Sequence, residues 1–193
     1  MNFDRAKMPF LTNLYFIFFL FFTFSCQNTE KSSKNALSKE EQEIIAQQQI
    51  WDSNSSLFKN ITISSQGIVR KFNWGQKIDQ IKESVELSEV QPSNGKSYTQ
   101  YLDETDLNFV DISYLASENG MVSSVVLDIF LEDQKEVQQL KIEFKKHLDA
   151  KFGVSQPLKN KMNWLKDKNT QIILEDVSTS KDPGIKLVFS NKN

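Results

Sequence analysis

Apolar residues are distributed along this chain in three ways. From about Phe10 to Phe24 they are nearly continuous: phenylalanine with Leu11, Leu14, Ile17 and Leu20, interrupted by Thr12, Asn13 and Thr23. A run of about 15 residues is shorter than the roughly 20 that a membrane-spanning helix needs and fits the core of a secretory signal. From Gln27 to about Leu37 (QNTEKSSKNAL) apolar residues almost vanish. That stretch cannot offset its own ordering entropy and is expected to be a flexible tether, about 18 Å end to end. Beyond it, apolar residues recur with the periods of helices and strands.

Ser38 with Glu41 has the S-x-x-E pattern of a capping box, which predicts a short helix to about Trp51. Its apolar stripe is thin (Ile44, Ile45, Ile50, Trp51), so it either docks loosely on its own domain or serves a partner. It is too rich in Gln and Glu for a membrane-surface helix. The folded domain is expected to start near Ile61. Residues 61–64 alternate, and residues 67–74 read as a first strand that ends at Gly75. Ile78, Ile81 and Val85 then stand at helical spacing, predicting an amphipathic helix of about ten residues.

Residues 87–132 read as sheet. Turn signals at 92–95 and at Asn119-Gly120 separate apolar runs, and Val125, Leu127, Ile129 and Leu131 alternate with period two. Asp133 opens the best-defined helix, with Val137, Leu140, Phe144, Leu148 and Phe152 on one stripe and Gly153 at the position that ends it. Strands follow at 162–165, 170–177 and 185–189. The order strand-helix-strands-helix-strands predicts an α+β fold, an antiparallel β-sheet with two helices packed on one face. The expected organisation is residues 1–25 as a signal peptide, 26–60 as a modified cysteine, tether and short helix, and 61–193 as a single α+β domain.

Chemistry at the N-terminus sharpens this picture. Arg5 and Lys7 precede the apolar run, and Ser25, a small residue, directly precedes Cys26, the one cysteine in the chain. Thr23-Phe24-Ser25-Cys26 resembles the lipobox of bacterial lipoproteins, with Thr23 where leucine is usual and a bulky Phe24. The resemblance implies cleavage between Ser25 and Cys26 by signal peptidase II and a lipid, palmitate among its chains, on Cys26. It also implies a cell-envelope location. Gln27 after the cysteine resembles an outer-membrane address, with the domain facing the periplasm. Ordinary secretion, an uncleaved signal anchor and a cytoplasmic protein with an unusual start are the alternatives.

Charge and composition exclude several function classes. The chain of 193 residues has 23 basic and 25 acidic side chains; without Arg5, Lys7 and Asp4 the counts are 21 and 24. No basic surplus points to nucleic acid. With Cys26 in the lipid anchor, the folded domain has no thiol or disulfide. His147 is the only histidine, which removes most zinc sites and His-based catalytic sets, and no metal or cofactor is expected.

Phe72-Asn73-Trp74-Gly75, Ile81, Phe152-Gly153 and Trp164 together resemble one repeat of the β-lactamase-inhibitor-protein-like fold, over about residues 68–190. In that pattern a Trp-Gly pair ends a strand and opens a helix, a later helix ends in an aromatic-Gly pair, and a Trp strand follows. The resemblance implies an architecture and a binding role, and no enzyme. A non-catalytic binding or structural protein is therefore expected, held at the membrane through lipid on Cys26. A protein inhibitor or envelope-assembly partner using the sheet face is the alternative.

Few residues invite chemistry. Trp74 and Trp164 could line a ligand or partner groove, though packing suits them as well. Asp103, Glu104, Asp106, Asn108 and Asp111 lack the glycine and terminal glutamate of a calcium loop and read as a solvated acidic turn. Glu175 and Asp176, adjacent on a strand, face opposite sides. His147 borders the apolar stripe of its helix.

Overall fold

A computed structural model describes residues 37–192; the expected signal peptide, Cys26 and the expected tether up to residue 36 lie outside the described residues. The elements in chain order are α1 (Lys39–Asp52), α2 (Ser56–Thr62), β1 (Glu86–Leu87), β2 (Gly95–Tyr101), β3 (Phe109–Ala116), β4 (Val122–Phe130), α3 (Gln134–Phe152), β5 (Gln156–Leu158), β6 (Lys161–Leu165), β7 (Thr170–Asp176) and β8 (Gly184–Asn191). All strands join one antiparallel sheet in the order β1-β2-β3-β4-β8-β7-β6-β5. The fold is α+β, as the patterning predicts. Two meanders meet at the β4–β8 pair, and α3 carries the chain from one to the other.

Alternation sets the two faces of the sheet. Val110, Ile112 and Tyr114 on β3, Val125, Leu127 and Ile129 on β4, and Ile185, Leu187 and Phe189 on β8 are all buried. They share one core with Val137, Leu140, Phe144, Leu148 and Phe152, the apolar stripe of α3. Phe58 and Ile61 of α2 complete this layer; the Phe58 ring meets Phe144 at 4.9 Å. The opposite sheet face carries no helix among the described residues.

The segment before β1 departs from expectation. Residues 61–64 do not form a strand, because α2 runs to Thr62 and Ile63 leaves it in the left-handed region. The compact unit begins at Leu37, so the boundary expected at residue 61 falls inside α2. α1 forms with the expected Ser38–Glu41 capping box and lies against α3. The indole N–H of Trp51 donates to Thr62 Oγ1 at 2.8 Å, and Lys146 Nζ to Ser53 Oγ at 3.0 Å. Ile44 and Ile45 stay exposed.

Residues 67–74 are a tight turn rather than a strand. Val69 bridges Phe72, and Arg70 and Lys71 between them have φ of 48° and 64°. Two consecutive positive φ values give a primed hairpin turn, normally built from Asn and Gly. The turn folds back over Gly67, where a Cβ would stand 2.6 Å from Lys71 C and Phe72 O. The helix expected from Ile78, Ile81 and Val85 is a single 3-10 turn, Ile78–Gln80. Its neighbours compete for the backbone: Ile78 N donates to Gly120 O and Val122 N to Gln76 O, which ties this segment to the β3–β4 hairpin.

Both sheet edges are poorly suited to strand addition: β1, the edge strand on one side, is only two residues long. On β2, the Gln91 side chain stands in for a neighbouring strand, accepting from Ser97 N at 2.9 Å and donating to Ser97 O at 2.8 Å. At the other edge, β5 is three residues long with Pro157 in its middle. Short edges and proline are standard protection against unwanted pairing.

Candidate functional site

Trp164 is 1 % exposed, and its indole N–H donates to Asp149 Oδ1 at 2.9 Å. Asp149 also accepts from Ser155 N and pairs with Lys145. Burial opposes ionisation of Asp149, but these hydrogen bonds prevail and hold its carboxyl below the usual range. Trp74 is half-buried, set edge-on against Phe72, and donates to Thr170 Oγ1 at 3.2 Å. Trp164 is therefore sealed into the packing and lines no open groove, and neither indole borders the two large clefts of the domain.

A charged network that sequence reasoning missed lies under the turn at 67–74. The Arg70 and Glu83 side chains, 0 % and 5 % exposed, form a bidentate pair with Nε–Oε1 and Nη2–Oε2 both at 3.0 Å. Arg70 Nη1 donates to Ile61 O, and Tyr114 donates its hydroxyl to Glu83. Burial, then the Glu83 charge, pushes the Tyr114 phenol far above its ordinary value. Every member has a partner, as a buried charge requires. The network pins the irregular segment 63–85 to α2 and β3. The only sequence signal was an arginine inside an apolar run.

His147 is 6 % exposed, with its ring edge-on to Phe58 at 5.4 Å. Its Nδ1 has no hydrogen-bond partner among the described residues. Burial, helped by the Lys151 charge, pushes its pKa down to about 4, so it is neutral at pH 7. It is a packed residue of the stripe.

On the uncovered sheet face the register lines up rows across strands. One row is Thr99, Asp111, Asp128, Lys186, Glu175 and Lys161. Thr99 donates to Asp111, Lys186 pairs with Asp128 at 3.0 Å, and Lys161 with Glu175 at 2.8 Å. Glu175 and Asp176 do face opposite ways: Asp176 pairs with Lys141 of α3. Beside the charged row runs an apolar one, Val126, Val188 and Ile173.

At one end of this face the row becomes aromatic. Tyr101 stands opposite Phe109, and Phe109 opposite Phe130, with ring centroids 6.5 and 5.2 Å apart. Gly184 is the next residue across the register. A Cβ there would meet Ile129 O at 2.7 Å and the Phe130 ring at 3.1 Å, so the glycine admits both the close backbone approach and that ring. Phe109 and Phe130 line a cleft of about 590 Å³ with Leu107, Leu131, Val177 and Pro183. Its polar lining is Asp106, Glu132, Thr179, Lys181 and Asp182. Leu107 and Tyr101 beside it are 58 % and 53 % exposed.

Asp182 accepts from Thr179 Oγ1 within its own turn, whereas the Asp106 and Glu132 carboxylates have no hydrogen-bond or ion-pair partner among the described residues. The acidic loop behaves as a solvated turn around Asp103, which accepts from Thr105 and Asn108 and is thereby held low in pKa. The second large cleft, about 630 Å³ over Ile81, Val85, Leu87 and Tyr98, is different. Its Lys96 already donates to Asp79 O and Ile81 O.

Among the described residues no helix is long and apolar enough to cross a membrane, and no group of His, Cys, Asp and Glu is arranged to hold a metal. No family model, curated protein or solved structure matches the chain.

Proposed function

We propose that this chain is a lipid-anchored, non-catalytic binding protein of the bacterial cell envelope, held through Cys26 at the outer membrane and facing the periplasm. The observation that carries the reading is the N-terminal sequence: a basic start, an apolar run of signal length, and Ser25 before the only cysteine. The domain supports it. The buried polar side chains Arg70, Glu83 and Tyr114 and the half-buried Asp149 are engaged in packing, while an apolar cleft stands open at one end of the sheet. Cys26→Ala, followed by labelled palmitate and membrane fractionation, tests the anchor. Label and membrane partition should both be lost; their persistence overturns the assignment.

A second reading, an inhibitor or assembly partner that uses the sheet face, is favoured by the uncovered face with its charged and apolar rows. Both edge strands are short, so a partner would meet side chains rather than extend the sheet. Cross-linking in the envelope should then yield one discrete heterologous partner; a strictly monomeric protein at native expression counts against it.

A further inference from the structure

The cleft at the Tyr101–Phe109–Phe130 end combines two features absent together elsewhere among the large clefts. It offers apolar surface to solvent, and it holds carboxylates with no cationic partner beside that surface. Solvated carboxylates alone say little about a ligand. Their position matters because any occupant seated on the two phenylalanines strips water from Asp106 and Glu132. That desolvation is unfavourable unless the occupant supplies an opposite charge. A neutral or acidic occupant would leave the carboxylates dry and unpaired, and Lys181 is the only cation in the lining. An arginine would suit both features, since its guanidinium stacks on aromatic faces and pairs with carboxylates.

We infer that this cleft takes a cationic segment of a partner protein: an apolar side chain sits on Phe109 and Phe130, and an adjacent Arg or Lys meets Asp106 and Glu132. The inference rests on the reading of the domain as a binding module and not on the anchor. The cleft volume of about 590 Å³ lies in the ~300–1,000 Å³ range of built binding sites. Short edge strands leave side-chain docking as the mode of contact. An anionic membrane surface is disfavoured by the same carboxylates.

Two measurements test this. First, fluorescence anisotropy on the full-length protein in non-ionic detergent compares three labelled peptides: Lys-Phe-Arg-Leu-Lys, Ala-Phe-Ala-Leu-Ala and Glu-Phe-Glu-Leu-Glu. The cationic peptide should bind at least about tenfold more tightly than the others, and salt should weaken it. The Asp106→Asn/Glu132→Gln variant should lose about tenfold for that peptide at an unchanged melting temperature, and Leu107→Ser should also weaken it. Equal binding of the neutral peptide, or an unaffected double variant, overturns the inference.

Second, a photo-cross-linker placed in cells at Leu107 or, separately, at Val188 on the uncovered face separates the two levels of the argument. Capture at Leu107 of a partner segment rich in Lys or Arg supports the inference. Capture there of a segment without basic residues, capture of a second copy of this chain, or capture at Val188 alone overturns the inference and leaves the binding reading standing. No capture at either position overturns the binding reading itself.

Discussion

Glu83 and Glu132 show the two uses this domain makes of a carboxylate. Glu83 is buried, gripped on both oxygens by Arg70 and bonded by Tyr114. Glu132 lines an open cleft and holds no partner among the described residues. The first joins segments that no hydrophobic pattern could join, and removing its partner leaves a charge dry. The second contributes little to folding, which leaves it free to act on another molecule. Stability and the proposed recognition thus fall in separate regions, and substitutions should sort accordingly.

The largest effect is expected at Arg70. Arg70→Ala leaves Glu83 buried and unpaired and should cost about 3–5 kcal/mol in urea unfolding. Replacing both partners with apolar residues, Arg70→Met with Glu83→Leu, should recover most of that loss. If the double variant is as unstable as the single one, the pair does more than balance its own burial.

Acid should act next, through His147. Its folded pKa is about 4 against an ordinary 6.5. Between these values the unfolded chain binds a proton that the folded chain refuses. The contribution is complete above about pH 6.5 and is lost as pH falls toward 4, by up to about 3 kcal/mol. Urea titrations across this window should show the slope in the wild type and a reduced one in His147→Leu. The paired carboxylate Asp176, drawn down to about 2 by Ser178 and Lys141 against its partial burial, keeps its stabilising contribution above about pH 4 and loses it only as pH falls further toward 2.

Gly67→Ala forces a side chain into the turn backbone at positive φ. It should lower stability by about 1–3 kcal/mol, read as a drop in melting temperature. The smallest effect belongs to the cleft. Asp106→Asn and Glu132→Gln should each stay within about 0.5 kcal/mol of wild type in the same measurement. A large loss at either would merge the two regions and remove the case for a free rim.

Legibility in the sequence followed the range of the contacts. The strands from β2 to β4, strand β8 and helix α3 were readable because one periodic stripe of each element faces the core, and Gly153 marks the end of α3 as expected. Residues 61–85 form neither the strand nor the helix that their spacing predicts, because their local pattern is overruled from outside. A turn with two non-glycine residues at positive φ persists only because the Arg70 side chain is anchored to Glu83 and Ile61. The cleft was half visible. Its acidic loop was recognised and read as solvated, but Phe109, Phe130 and Gly184 become neighbours only through strand register.

The sequence by itself determined the α+β class, the strong helix and the inward face of each central strand, because those depend on spacing along the chain and the burial of apolar side chains. It also carries the N-terminal apolar run and Cys26, on which the proposed anchor rests and whose chemistry does not depend on the folded domain. Tertiary structure decided the rest: which carboxylate is buried and paired, which is left open, and that three aromatic rings from separate strands form one row. Those outcomes depend on which strands become neighbours and in what register, and no local pattern encodes that.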